Sequence, residues 1–280
     1  MTALARTPLT LNKHVLSRRR LRLEEQGLNM DRNVELAPHP TLPRYYGAPA
    51  ERQQRVNAMF DASAKHYDRV TQLMSFGSGD WYRKQAMLRV GVRAGQAVLD
   101  VGSGTGALAL AAQNIVGPEG LVLAVDPSEG MLECARAAGV RQVLRAGGEA
   151  LPLASNSFDW VLMGYALRHV PDLRTTFAEY LRVLRPGGRM LLLEWTKPTS
   201  ALGASAVRLY LKHVVPAMAR VVTGSGAVHE LMQYYWDTIE QCVPPSTIVA
   251  ALSEAGFADA GSHRVMGMFI EYTGEKPRAP

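Results

Sequence analysis

Apolar positions change their spacing several times along the chain, and each change marks a boundary between elements. From Arg52 they recur at helical intervals, at Val56, Met59, Phe60, Ala64 and Tyr67. After a break at Gly77 and Gly79 a second helical period runs from Trp81 to Val90. Residues 97–101 then read Ala-Val-Leu-Asp-Val, an apolar run of strand length that ends in Gly102-Ser103-Gly104-Thr105-Gly106 and opens a helix rich in alanine and leucine. A second such strand over 121–125 ends in Asp126, with Pro127 and Ser128 starting the next helix. Further strands are predicted over 142–146, 159–163 and 189–195, with a helix over 173–184 between the last two. Near-continuous apolar strands alternating with helices predict a mostly parallel sheet covered on both faces, a doubly wound α/β fold.

The alternation stops after Trp195. Residues 200–243 keep a helical period through Val207, Leu211, Val214, Val215, Met218, Val221 and Val222, broken at Gly224 and Gly226, and read as a helical insertion over the C-terminal edge of the sheet. One more helix over 244–256 and strand material over 265–272, paired antiparallel, complete the pattern. The predicted organisation is a basic, proline-containing and unstructured leader over 1–50, N-terminal helices over 51–95 covering the active site, and a main domain over 96–280 carrying the insertion.

Composition adds little until the charges are located. The formal charge of +6 equals the six cations of the first 22 residues, Arg6, Lys13, Arg18, Arg19, Arg20 and Arg22, which include no acid among them. The remaining chain is neutral, so a polyanion-binding body is not expected, and nucleic acid is excluded as a partner. The basic leader itself fits an unstructured tail, a transit peptide, a contact with anionic lipid or RNA, or an over-early start ahead of Met30. Cys134 and Cys242 are the only cysteines and form no CxxC pair, which speaks against a disulfide framework or structural metal and for a reducing cytoplasm. No apolar run reaches the ~18 residues of a membrane span.

The candidate chemistry begins at the glycine turn. Glycines at 102, 104 and 106 let the backbone turn tightly and bring a ligand against a helix N-terminus. Gly102, Gly104 and Ala107 also spell the dinucleotide pattern, with Asp126 placed for a ribose diol, so a nicotinamide enzyme is a rival reading. Asp100 discriminates: a carboxylate there would repel a diphosphate and attract S-adenosylmethionine, which carries an ammonium and a sulfonium and no phosphate.

The run Val98-Leu99-Asp100-Val101-Gly102-Ser103-Gly104-Thr105-Gly106 resembles the first motif of class I S-adenosylmethionine-dependent methyltransferases, with a Rossmann-like seven-stranded sheet. Gly148-Glu149-Ala150 with Phe158-Asp159, and Leu184-Arg185-Pro186-Gly187-Gly188, resemble later motifs. A closer resemblance is to the ubiquinone/menaquinone C-methyltransferase family, through Phe60-Asp61, Tyr67-Asp68, Leu73-Met74-Ser75-Phe76-Gly77, Leu167-Arg168 and Glu194-Trp195-Thr196-Lys197-Pro198. The resemblance implies methyl transfer to a ring carbon of a prenylated quinol. The chain departs from the family pattern at Ala107, where an acid is usual, at His169 and Thr71, where asparagine is usual, and at Gly147, where an acid or amide is usual.

The resulting assignments are these. S-adenosylmethionine is expected to be held by Tyr67, Asp100, Gly102, Ser103, Gly104, Thr105, Gly106, Asp126, Pro127, Met131, Gly148, Glu149 and Ala150. For ring-carbon methylation a phenolic proton must leave, and a phenol near pKa 10 needs help at neutral pH. Arg168 is expected to supply a cation, His169 a base, and Tyr165 a ring closing over the ligand. Phe76, Arg208, His213, Tyr234, Tyr235 and Trp236 are expected to hold a small lipophilic aromatic substrate. Peripheral contact of Arg208, Lys212 and Arg220 with the inner membrane face, a homodimer or biosynthetic complex, and a non-catalytic S-adenosylmethionine-binding role complete the expectations, with no metal.

Overall fold

The computed structural model describes residues 35–75 and 77–278, and from Leu36 onward the described residues form one compact unit. Two helices come first, α1 (Arg52–Met74) and α2 (Gly79–Val90), as the period predicts. They lead into β1 (Ala97–Val101), α3 (Ala107–Val116), β2 (Leu121–Asp126), α4 (Glu129–Ala138), β3 (Val143–Arg145) and β4 (Phe158–Gly164). A single 3-10 turn at Leu167–His169 precedes α5 (Leu173–Val183) and β5 (Leu184–Trp195). The insertion is α6 (Ala201–Leu209), a π-helical turn over Tyr210–Val214, α7 (Val215–Thr223) and α8 (Gly226–Gln241), before α9 (Pro245–Ala255), β6 (Ala258–Val265) and β7 (Phe269–Glu275).

The sheet order is β3-β2-β1-β4-β5-β7-β6, with β7 alone antiparallel to both its neighbours. β1 pairs in parallel with β2 and β4, Asp100 lying opposite Ala124 and Leu162. All five β1 residues are buried, which is why that strand reads as a continuous apolar run. Side chains fill both faces: Leu99, Val161 and Leu192 pack with Phe177 of α5 and Leu252 of α9, and Val98, Leu162 and Leu191 with Met87 of α2 and Ala109 of α3.

Three differences from the expected pattern have local causes. The stretch Arg185-Pro186-Gly187-Gly188, left between the expected helix and strand, is drawn into β5, with a register shift against β4 and backbone hydrogen bonds from Gly187 and to Gly188 that tie it to Lys276. The terminal strand is two strands, because β6 is an edge whose residues are mostly solvent-facing (Asp259, His263, Arg264), leaving no apolar alternation to read.

The leader expected through residue 50 is the third. Residues 1–34 lie outside the described residues, but residues 36–46 are packed. Leu42, Tyr45 and Tyr46 join Val56 and Met59 of α1 and Tyr234 of α8 in a third apolar cluster. The Leu36 N–H donates to Asp172 Oδ1, the N-cap of α5, and the Val243 N–H to the Pro38 carbonyl. These anchors are tertiary, so no period along residues 36–46 announces them. Together this segment, α1 and the insertion form a cap over the carboxyl ends of β1, β2 and β4.

Candidate active site

The glycine loop is fixed by what lies against it. Gly102 has φ +66°, a left-handed conformation, and a Cβ there would stand 2.6 Å from the Ala166 methyl. Gly106, φ +88°, would strike Val140 at 2.5 Å. The loop can therefore lie flat against β4 and α4 only as glycine. Its Gly104 N–H donates to Asp126 Oδ2 (2.8 Å), and Asp126 Oδ1 accepts from the Ser128 N–H (2.9 Å), so the end of β2 is tied to the loop and to the start of α4.

Above these strand ends lies a cleft of about 700 Å³, its open mouth included. Among the predicted residues, Gly102, Gly104, Asp126, Pro127, Met131, Gly148, Glu149, Tyr67, Tyr165 and His169 line it. One further wall comes from a face of α1, Gln53, Val56, Asn57 and Phe60, which the assignments missed. The signal was present: these positions recur with Tyr67 at helical spacing, and Asp61 and Asp68 sit seven residues apart beside them. Asp61 Oδ1 accepts from the Ser128 hydroxyl and the Gly130 N–H at the N-terminus of α4, and Asp68 from the Thr105 hydroxyl. Helix α1 is thus clamped over the cleft by carboxylates bonded to the loops beneath it.

Asp100 lies just behind the glycine loop, fully buried, and neither carboxylate oxygen has a hydrogen-bond partner. Burial, with Asp126 nearby, pushes its pKa up to about 8; the Ala109 N–H eases the shift without reaching hydrogen-bond geometry. Asp126 is pushed up to about 6, again by burial, against the help of its two backbone donors. Among the described residues no lysine or arginine lines the cleft. Two buried carboxylates, one orphaned, and no cation suit a positively charged ligand and oppose a diphosphate. The residues fit S-adenosylmethionine: Asp100 toward its cationic amino-acid end, the glycine backbone alongside, and Asp126 for the ribose hydroxyls. Asp126→Ala is expected to weaken S-adenosylmethionine binding by about 10–100-fold, read by titration calorimetry; unchanged affinity would remove the ribose assignment.

The remaining predicted residues divide. Thr105 is turned to Asp68, Gly106 forms the N-cap of α3, the Ser103 hydroxyl is buried behind the loop, and Ala150 faces solvent. Phe76 lies outside the described residues. Tyr165 sits in the cleft wall at φ +62°, a strained conformation for an aromatic residue, held by its N–H to the Leu193 carbonyl (2.7 Å). Burial holds the Tyr67 and Tyr165 phenols far above their usual range, so both stay protonated.

Arg168 does not reach the cleft. It is fully buried and its guanidinium is engaged by protein: an ion pair to Glu194 (3.0 Å), Nη1 to Thr238 Oγ1 (2.8 Å) and the Tyr235 carbonyl (3.2 Å), Nη2 to the Tyr165 carbonyl (3.3 Å), and the Tyr235 ring at 4.2 Å. Burial works against the charge, but Glu194 outweighs it and the proton is held more tightly than in a free arginine. The expected catalytic cation is instead a joint between the strained turn, β5 and α8. Tyr235 packs under that joint, Arg208 pairs with Glu240 beside Trp236 at a separate hollow, and His213 faces outward from the π-helical turn. None of these four lines the cleft, and neither does Tyr234: Tyr234 is buried against His169, Tyr235 against Arg168, and Trp236 and Arg208 line the separate hollow.

His169 is at the cleft, stacked on Tyr234 (5.4 Å between centroids) and edge-on to Phe60 (5.2 Å). Burial first, then Arg168, His39 and Arg52, hold its pKa well below the ordinary 6.5, so the ring is neutral at physiological pH.

Comparison with known proteins agrees with this geometry. A family model described as the ubiE/COQ5 methyltransferase family matches residues 49–276. The chain is 33% identical over 235 residues to the ubiquinone/menaquinone biosynthesis C-methyltransferase UbiE of Saccharophagus degradans, covering 81% of this chain and 93% of that one. It is 34% identical over 213 residues to the demethylmenaquinone methyltransferase of Lactococcus lactis, covering 73% and 82%. Among solved structures, a methyltransferase of Thermotoga maritima described as a possible histamine N-methyltransferase shares the fold at 22% identity and TM-score 0.56, covering 79% of this chain and 99% of that one. The [4+2]-cyclase SpnF does so at 16% identity and TM-score 0.56, covering 87% and 100%. That a cyclase shares the fold shows how little the architecture says about the acceptor. The family match takes in the α1 clamp, the glycine loop, Asp126 and the capping insertion together, and so the chain belongs to the ubiE/COQ5 methyltransferase family and is an enzyme that uses S-adenosylmethionine.

Proposed function

We propose that this enzyme transfers a methyl group to a ring carbon of a lipophilic phenol or quinol of the prenylquinone type. The observation that carries the reading is the cleft itself, acidic where the cofactor would lie and walled beyond it by Phe60, Tyr67, Tyr165 and His169. Such a wall suits a flat aromatic ring, and the relatives' names point to quinone rings. S-adenosylmethionine supplies a sulfonium-bound methyl group already activated for transfer. The chain's own residues then have to orient the ring, exclude water and stabilise the ring oxygen as it gains charge. Helix α1 closes the cleft, and the aromatic wall aligns the ring.

The test is incubation with methyl-labelled S-adenosylmethionine and a demethylmenaquinol kept reduced, with the product read by mass and NMR. A new ring C-methyl group formed only from the reduced acceptor is expected. An O-methyl product, or cofactor binding without turnover, would overturn the reading in favour of another lipophilic acceptor or a non-catalytic role.

Where the acceptor would be met also has a reading. Among the described residues no helix is long and apolar enough to cross a membrane. Yet the outer face of the insertion exposes Leu202 (83%), Leu209 (61%) and Val221 (85%) beside Arg208 and Arg220, and residues 201–223 contain no acid. Apolar side chains set among cations suit the surface of an anionic bilayer. Co-sedimentation with phosphatidylglycerol vesicles, absent with phosphatidylcholine vesicles and lost in Leu202→Glu/Val221→Glu, is the expected result; binding that ignores both changes would sink it.

A further inference from the structure

Two carboxylates at the cleft have no hydrogen-bond partner in the protein, and they stand on either side of β2. One is Asp100, at β1. The other is Glu149, in the loop after β3, which lines the cleft half-buried. Among the described residues its carboxylate makes neither a hydrogen bond nor an ion pair. Asp61, Asp68 and Asp126, by contrast, are all engaged by hydroxyl or backbone donors. The loop that carries Glu149 is fixed on both sides. The Ala146 N–H donates to the Asp126 carbonyl (3.3 Å), the Leu151 N–H to Glu179 Oε2 (2.9 Å), and Arg182 Nη2 to the Leu151 carbonyl (2.9 Å).

The place of that carboxylate depends on Gly147. A Cβ built there would lie 2.6 Å from Glu149 Oε2 and 2.7 Å from its Cδ, so the carboxylate occupies the space in which a side chain at 147 would begin. The backbone does not demand glycine at 147, since its φ is not positive. Gly148 is small for a different reason: a Cβ on it would stand 2.9 Å from Val101 Cγ1 and 3.0 Å from the Tyr180 hydroxyl, so the loop lies close against β1 and α5. Gly147 thus leaves room for the carboxylate alone. The acid or amide usual at 147 is absent, and a carboxylate reaching back from two residues on fills its place.

Strand order supplies its ligand. S-adenosylmethionine runs from its ammonium through sulfonium and ribose to adenine. With Asp100 at β1 set to the cationic end and Asp126 at β2 to the ribose, the base falls beyond β2, where β3 and its following loop lie. Pro127 and Met131 give that part of the cleft apolar walls, and Glu149 is the one polar side chain that the loop contributes to the lining. A carboxylate only accepts hydrogen bonds, and the exocyclic amine of adenine donates them. We propose that Glu149 accepts from the adenine amine and so sets the nucleobase that the enzyme admits: adenine, and not a purine with a carbonyl in that position, whose oxygen the carboxylate repels. The inference rests on S-adenosylmethionine binding and not on the identity of the acceptor.

The experiment is calorimetric titration of the full chain with S-adenosylhomocysteine and with S-inosylhomocysteine, in which a carbonyl replaces the amine. The parent chain is expected to prefer the adenine form by about 10–100-fold. Glu149→Gln, whose amide can also donate to a carbonyl, is expected to bind the two within about threefold of each other. Because the preference is a ratio measured on one protein, a partly unfolded variant cannot mimic its loss. In Gly147→Asn the new side chain displaces the carboxylate, so adding Glu149→Gln is expected to change the ratio no further. Equal binding of the two ligands by the parent chain, a preference that survives Glu149→Gln, or the same loss from Glu149→Gln in both backgrounds would overturn the proposal. Quinol methylation can fail without altering any of these outcomes, and would then count against the acceptor alone.

Discussion

Replacing Arg168 with methionine is expected to lower the unfolding free energy by about 3–5 kcal/mol, because it strands the buried Glu194 carboxylate without its cation. Arg168 is fully buried and Glu194 is 1% exposed, so water cannot take the partner's place. The same change strips donors from the Tyr165 and Tyr235 carbonyls and from Thr238, although the Tyr235 carbonyl keeps the Thr238 hydroxyl as a donor. A double variant, Arg168→Met with Glu194→Leu, removes the orphaned charge and leaves the carbonyl losses together with the Arg168 and Trp195 N–H groups that Glu194 accepts from. It is therefore expected to be more stable than the single variant, with a coupling above about 1 kcal/mol in a double-mutant cycle read by urea unfolding. Additive losses would mean that the pair does not interact. Both variants are also expected to lose turnover, since Tyr165 is held in its strained conformation partly through the carbonyl that Arg168 grips.

That Arg168 reads as catalytic in the sequence and as a joint in the fold shows where legibility ends. A strand, a glycine turn and a helix follow one another within thirty residues, so β1, the loop from Gly102 to Gly106, β2 and Asp126 could be placed from local grammar alone. The orphaned state of Asp100 could not be read, but its sign could, because a carboxylate beside such a loop has few ligands to choose from. An arginine after β4 looks the same whether it faces a cleft or a buried glutamate; only the pairing of β5 beside β4, which brings Glu194 within reach, decides it. The faces of α8 were equally silent, since Tyr234, Tyr235 and Trp236 are consecutive and a helix sends them in three directions. Residues 36–46 escaped notice for a different reason: they have no secondary structure to predict, and their burial is bought by partners more than a hundred residues away, Asp172 and Asp237 among them.

Asp100→Asn is expected to separate cofactor affinity from stability in opposite directions. In the cofactor-free protein Asp100 titrates near 8 against an ordinary 3.8, so the folded state binds the proton more tightly than the unfolded chain does. For an acid whose folded pKa is raised, stability is fully present below the unfolded value and is lost as pH rises through the folded one. Between about pH 4 and pH 8 the wild type should therefore lose stability, by roughly 6 kcal/mol at most for so large a shift. Asparagine has no charge to bury, so the variant's stability should fall less over that range, and by pH 8 the cofactor-free variant should be the more stable of the two. Asp126, raised to about 6, adds a slope of the same sign to both proteins, and because its charge also acts on Asp100 it cancels only in part in their difference. Binding should move the other way: without the carboxylate the ammonium and sulfonium lose their counter-charge, and affinity for S-adenosylmethionine should fall about 10–100-fold. Urea unfolding from pH 5.5 to 8.5, with and without S-adenosylmethionine, reads both effects in one series. Parallel pH curves for the two proteins would show that the buried carboxylate is not strained, and equal stabilisation by the cofactor would show that it is not the cofactor's partner.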